Sequence, residues 1–309
     1  MRSLGSLLGA GGMGRVFAAE HAARRVAVKV LHEEFGEDAA MRARLAAEGE
    51  AMWRVRHRNV VRILGQGTHD GRPYLTLEHV DGITLGTLVQ REGRLSLARV
   101  RSIGEQILLG LSAIHRAGLV HGDMKSDNIL IGANDRVTII DFGLARDVAA
   151  PRTADELQTL SGTPEYMAPE VIRGEAPGVA SDLYAVGVIL YEMVTGMPPF
   201  TGKTTPEIFD RHLRDDVVPP SLRAPDRTIP AAFEAIIVRA LSKTPELRHY
   251  NAELFATAVS RTLAFTRHGE ETPPTAHAGT GRVSATTRRS FVSRAPGKRD
   301  LAVPRRAFA

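Results

Sequence analysis

The sequence predicts an α+β fold in which a strand-rich part precedes a longer, mainly helical part. Three observations carry this. Period-2 alternation is confined to about the first 80 residues, in VAVKVL (26–31) and YLTLEHV (74–80). Apolar residues at helical spacing dominate from residue 97 onward. Within these regions fall three short polar or glycine-rich strings in a fixed order: GAGGMGRV (9–16), HGDMKSDN (121–128) and Asp141-Phe142-Gly143.

The elements follow in order. Arg15–Ala19 reads as a strand, turns near His21–Arg24 and returns along 26–31, with Val26, Val28 and Val30 on one face and Ala27 and Lys29 on the other. Residues 38–56 read as a helix carrying Met41, Leu45 and Met52 on one stripe. Glu48 falls on that stripe, whereas Glu50 lies about 200° around the helix and points outward. A long helix over 97–116 aligns Val100, Ile103, Ile107, Leu111 and Ile114, and stops near Gly118. Short strands NILI (128–131) and VTII (137–140) flank a turn, and the pattern is mostly helical from about 168, with apolar runs at 183–194 and 231–241.

Composition sets limits. The chain has 309 residues, 43% hydrophobic and 24% charged, as ordinary globular proteins do. It has no cysteine, which excludes disulfides, thiolate metal sites and a cysteine nucleophile. Apolar runs such as AVGVILYEMV (185–194) are far shorter than the roughly 18–20 residues that cross a bilayer. No secretory leader is legible in MRSLGSLLGAGG, and a cytoplasmic protein is the expectation. From Thr266 onward nine Arg or Lys face three Asp or Glu, so the tail holds +6 of charge and the rest is near −1. That tail lacks large apolar groups and is expected to be disordered. No nucleic-acid motif is evident in the body.

The strings carry the chemistry. Gly9, Gly11 and Gly14 match G-x-G-x-x-G, a pattern that lets backbone N–H groups approach phosphate. A dinucleotide fingerprint would need a helix directly afterwards; here a strand follows, which favours a flap over a triphosphate. Lys29 faces inward from a strand and needs an anion, and Glu48 on the buried stripe needs a cation. In 121–128, Asp123 can orient a hydroxyl, Lys125 can stabilise a transferring phosphoryl group, and Asn128 offers an oxygen for a hard ion, as does Asp141.

With these residues in this order, the sequence resembles the eukaryotic-type protein kinase superfamily, and most closely bacterial serine/threonine protein kinases, over about residues 4–262. The resemblance implies a two-lobed fold within residues 1–263: a small β-rich N-lobe (about 1–79) with one main helix, a larger mainly helical C-lobe (about 80–263), then the basic tail 264–309. It implies that Leu8, Gly9, Ala10, Gly11, Gly12, Met13, Gly14, Arg15 and Val16 cover ATP, and that Ala27, Leu77, Glu78 and Val80 complete the nucleotide site, with Leu77 as gatekeeper and the backbone of Glu78 and Val80 meeting adenine. Lys29 would contact the α- and β-phosphates and pair with Glu48; Asp123 would be the catalytic aspartate, assisted by Lys125; Asn128 and Asp141 would hold Mg²⁺, with Mn²⁺ as the alternative ion. GTPEYMAPE (162–170) resembles the end of an activation segment, with Glu170 paired to Arg248, and Asp182 matches the aspartate that braces the catalytic loop. Lys125 and Thr163 resemble Ser/Thr-specific members, so the implied partners are proteins bearing Ser or Thr; no membrane segment is implied and oligomeric state stays open.

One position departs from the family. Where His-Arg-Asp is usual, residue 122 is Gly, and the missing arginine normally couples an activation-segment phosphate to the catalytic loop. A strict need for phosphorylation at Thr153, Thr159 or Ser161 is therefore not expected. Two other readings remain. A non-catalytic relative would lack Lys29, Asp123, Asn128 or Asp141, all present here; a small-molecule phosphotransferase would not be expected to carry GTPEYMAPE and Arg248.

Overall fold

A computed structural model describes residues 5–11, 14–21, 24–69, 71–141, 146–147 and 163–262. The chain divides into a unit over Met1–Glu270 and a second over Glu271–Ala309; the tail and its expected disorder lie outside the described residues.

Five strands open the first unit: β1 (Leu7–Ala10), β2 (Gly14–His21), β3 (Arg24–Leu31), β4 (Ile63–His69) and β5 (Arg72–Glu78). They form one antiparallel sheet in the order β1-β2-β3-β5-β4. The alternation in β3 has the expected consequence. Val26 and Val28 join Ala19 in a small outer cluster, while Ala27 and Leu31 face the main core.

Helix α1 (Ala39–Trp53) packs on the inner face of this sheet, against β4 and β5. Asp38 caps it by accepting from the N–H groups of Ala40 and Met41. Gly49 looks like a weak point in a helix, yet a Cβ there would lie 2.5 Å from Gln66 Oε1 and 2.8 Å from Leu75 Cδ2. The missing side chain is what lets α1 approach the sheet.

Strand β4 was not expected. Its sequence, ILGQGTH, holds two glycines and shows no alternating apolar pattern, so it forms because β5 pairs with it and not from propensity. The strand expected over 74–80 runs instead from Arg72 to Glu78, leaving His79 and Val80 beyond its end.

The second lobe begins with β6 (Ile83–Thr84), an unexpected short helix α2 (Leu85–Glu92), and α3 (Leu97–Arg116). In α3, Val100, Ile103, Ile107, Leu111 and Ile114 are all fully buried. At about 1.5–3 kcal/mol for each such side chain, their burial outweighs the roughly 1 kcal/mol of the Ser96 cap. The helix ends before Gly118, whose φ of 76° is left-handed.

Short strands β7 (Leu119–Val120), β8 (Ile129–Ile131), β9 (Val137–Ile139) and β10 (Arg146–Asp147) follow, pairing as β6-β8-β9 and β10-β7. Asn128 lies in the 3-10 turn Ser126–Asn128, one residue ahead of the strand expected to contain it. Helices α4 (Pro169–Ile172), α5 (Val179–Thr195), α6 (Thr205–Arg214), α7 (Pro220–Arg223), α8 (Ala231–Ala240) and α9 (Ala252–Arg261) complete the lobe. Helix α5 is its axis, buried at every position from Ser181 to Thr195. Among the described residues, no helix is long and apolar enough to cross a membrane.

Candidate active site

Residues far apart in sequence meet around Lys29. Its ammonium donates to Glu48 Oε1 at 2.7 Å and Oε2 at 2.9 Å, and to Asp141 Oδ1 at 2.7 Å. Burial disfavours the charge on Lys29, but the two carboxylates more than offset it and hold its pKa above the ordinary value. Glu50, as expected, is exposed. Asp141 adopts φ 64°, which is rare for a residue with a side chain and occurs at functional sites.

The sheet frames this centre. Val16 lies opposite Lys29 across β2 and β3, and Ala27 lies opposite Leu77 across β3 and β5. Ala27 and Leu77 belong to the core, and Val16 packs against it. Leu8, Gly9 and Ala10 lie in β1, which is exposed throughout, and Arg15 pairs with Ala10. At Gly9 and Gly11 a Cβ would meet nothing within 4 Å, so that stretch borders open space. Gly14, by contrast, passes so close to the Val30 carbonyl that a Cβ would stand only 2.1 Å from its oxygen. His32, which the sequence reading passed over, donates from Nε2 to the Gly11 carbonyl at 2.7 Å and ties the loop to the end of β3. Gly12, Met13, Phe142 and Gly143 lie outside the described residues, as do Thr153, Thr159 and Ser161.

At the end of β5, the Glu78 N–H donates to the Arg62 carbonyl, and its carboxylate accepts from the Arg62 N–H, both at 2.9 Å. Val80 follows on the connection between lobes and packs against the core.

The loop over 121–128 holds a second group. Lys125 Nζ donates to Asp123 Oδ2 at 2.7 Å. Asn128 gives its amide hydrogens to the Asp123 carbonyl at 2.8 Å and Oδ2 at 3.2 Å, so its own Oδ1 stays available as an acceptor. Asp123, Thr163, Tyr166 and Asp182 line one small cavity.

Buried Asp182 holds the loop in shape. Its Oδ1 accepts from the Gly122 N–H, and its Oδ2 from the His121 N–H and from His115 Nε2, all at 2.9 Å. Gly122 has φ 77°, a conformation glycine adopts without strain. Lower down, Arg248 forms a two-pronged pair with Glu170 at 2.6 and 2.7 Å, as anticipated.

Besides His32, four contributors are not legible as partners in the sequence. His115 braces Asp182 from α3. Ser126 and Tyr166 both donate to Glu192 Oε2 in the interior. The only available signal was a Glu near the end of an otherwise apolar run, and it names no partner.

Comparison with known proteins shows the family of the chain. The family model described as protein kinase domain matches residues 2–258. Serine/threonine-protein kinase pkn3 of Myxococcus xanthus is 35% identical over 97% of the chain. Serine/threonine-protein kinase PknB of Mycobacterium tuberculosis is 34% identical over 81% of it. PknH of Mycobacterium bovis is 35% identical over 84%. The chain spans only about half the length of these relatives: 56% of pkn3, 41% of PknB and 43% of PknH.

Proposed function

Because the chain belongs to the protein kinase family, we propose that it transfers the γ-phosphoryl group of ATP to Ser or Thr hydroxyls of proteins, itself included. The observation that carries this reading is the bridging of Glu48 and Asp141 by one buried lysine, a contact that spans 112 residues of sequence.

Lys29, oriented by Glu48, binds the α- and β-phosphates. The β1–β2 loop covers the phosphates, drawn close by glycines at 9, 11, 12 and 14. Leu77 and Ala27 bound the adenine pocket; the carbonyl of Glu78, whose N–H is already engaged, and the N–H of Val80 meet the base edge. Asp123 orients the acceptor hydroxyl and takes its proton, while Lys125, 2.7 Å from Asp123, stabilises charge on the moving phosphoryl group. Thr163 lines the same cavity as Asp123, which supports an alcohol acceptor on an aliphatic side chain.

The donor set also fits a small hard cation. Asn128 offers an amide oxygen and Asp141 a carboxylate, the one or two protein oxygens Mg²⁺ takes when phosphates supply others. When bound, Mg²⁺ would neutralise charge between phosphate oxygens; Mn²⁺ could replace it.

Incubating the purified chain with labelled ATP, Mg²⁺ and a Ser/Thr-containing protein, then mapping modified residues, tests the reading. Label on serine or threonine, absent with Asp123→Asn, is the expected result. Label on tyrosine alone, or none despite measured nucleotide binding, would overturn it.

A further inference from the structure

The segment after α1 and the end of α3 border a second, shallow and largely open cavity that shares no residue with the cleft. Its open volume is about 520 Å³, and it is lined by Trp53, Arg54, Arg56, His57, Arg116 and Ala117. These cations come from two separate stretches, 54–58 and 116, so no basic face of the body is legible in the sequence.

Charge balance singles the cavity out. Outside the tail the chain is near neutral, yet here cations gather. Among the described residues, Arg56, Arg58 and Arg116 make no ion pair and no side-chain hydrogen bond. His57 is pushed below its ordinary pKa by burial first, then by Arg58 and Arg116, so its ring is neutral at pH 7. Its Nδ1 accepts from the Asn59 N–H at 3.2 Å, which makes Nε2 the protonated, donating nitrogen.

Cations near a helix C-terminus are ordinary, since they complement its dipole. Arg54 plays that part, donating to the Ala117 carbonyl at 2.6 Å and pinning the segment against α3. Arg56, Arg58 and the exposed indole of Trp53 are not explained that way. Like charges held together without a counter-ion cost energy that a bound anion returns as charge-assisted hydrogen bonds.

We propose that this cavity binds a phosphorylated side chain of a peptide segment: the guanidinium groups of Arg56 and Arg116 and the His57 Nε2–H take the phosphomonoester, and Trp53 takes the flanking residue. The volume lies within the roughly 300–1,000 Å³ of small-ligand pockets. Arg54, Arg56, His57 and Arg116 line one pocket, whereas a lipid surface or nucleic-acid backbone would call for an extended plane or stripe of cations.

Trp53 is the chain's single tryptophan, so its emission reports on the cavity directly. The full chain, without nucleotide, would be titrated with a phosphothreonine peptide, the same peptide unphosphorylated, inorganic phosphate, phosphatidylglycerol vesicles and single-stranded RNA. A saturable change with the phosphopeptide is expected, with binding at least about tenfold weaker for the unphosphorylated peptide and for inorganic phosphate. Arg56→Ala/Arg116→Ala should lose about tenfold or more in affinity while keeping its circular dichroism and basal phosphoryl transfer. If the double variant fails to fold, Arg56→Gln alone should still weaken the phosphopeptide about threefold. Equal response to both peptides, unchanged affinity in a folded variant, or tighter response to free phosphate, vesicles or RNA would overturn the proposal.

Discussion

Tyr166 donates its hydroxyl hydrogen to Glu192 across 2.8 Å, tying the turn Pro164–Tyr166 to the buried axis of the helical lobe. Ser126 donates to the same oxygen from the loop that carries Asp123. Burial raises the Glu192 pKa above 4.5, more than the two hydroxyl donors lower it. A carboxylate raised on folding binds its proton more tightly in the native state. Between pH 4.5 and that raised value, the contribution of Glu192 to stability should fall as pH increases. Glu192→Gln removes that contribution and should make the pH slope of the urea midpoints more positive than in wild type. Parallel slopes for the two proteins would contradict it.

Lys29→Met and Asp123→Asn should both abolish most phosphoryl transfer, but they should differ in stability. The methionine leaves Glu48, only 2% exposed at its side chain, without its cation, a change that costs about 3–5 kcal/mol for a buried pair. Asp123→Asn buries no new charge. Calorimetry should show a lower Tm for the first variant alone; equal melting temperatures would remove the energetic role given to the Lys29–Glu48 pair.

The Arg248–Glu170 pair is buried at both ends, 0% and 7% exposed. Arg248 also donates to the carbonyls of Ala180, Ser242 and Lys243. Glu170→Ala should cost about 3–5 kcal/mol, and Arg248→Ala more, because three carbonyls lose their donor too. A double-mutant cycle on denaturant midpoints would measure the coupling, and near-additivity would speak against it.

Gly49→Ala sets two effects against each other. Helix propensity favours alanine by about 1 kcal/mol. The overlap with Gln66 and Leu75 works against it and, as overpacking, costs about 1–3 kcal/mol. A net loss of stability is expected in thermal unfolding, and a gain would show that the α1–sheet contact relaxes.

Gly122 supplies no cation to meet a phosphate on the activation segment. Thr153→Ala/Thr159→Ala/Ser161→Ala should therefore keep its initial rate within about tenfold of wild type, the scale of one charge-assisted contact. A folded triple variant with a larger loss would restore a requirement for phosphorylation there.

Most of the strand and helix pattern was legible because its determinants are local. The alternation in β3 and the five-residue stripe of α3 are written in consecutive residues, and both faces turned as expected. Glu48 was separable from Glu50 by helical angle alone. Strand β4 was not legible, since two glycines give it no propensity of its own.

By itself, the sequence determined the long helices and most of the strands, the family, and which residue types could handle phosphate. Tertiary structure decided which of them touch. It set Lys29 between Glu48 and Asp141, gathered His115 and two loop amides on Asp182, and drew the cations of 54–58 beside Arg116. Local patterns follow from the backbone geometry of neighbouring residues, but a contact across a hundred residues exists only once burial of the shared core has closed the chain between them.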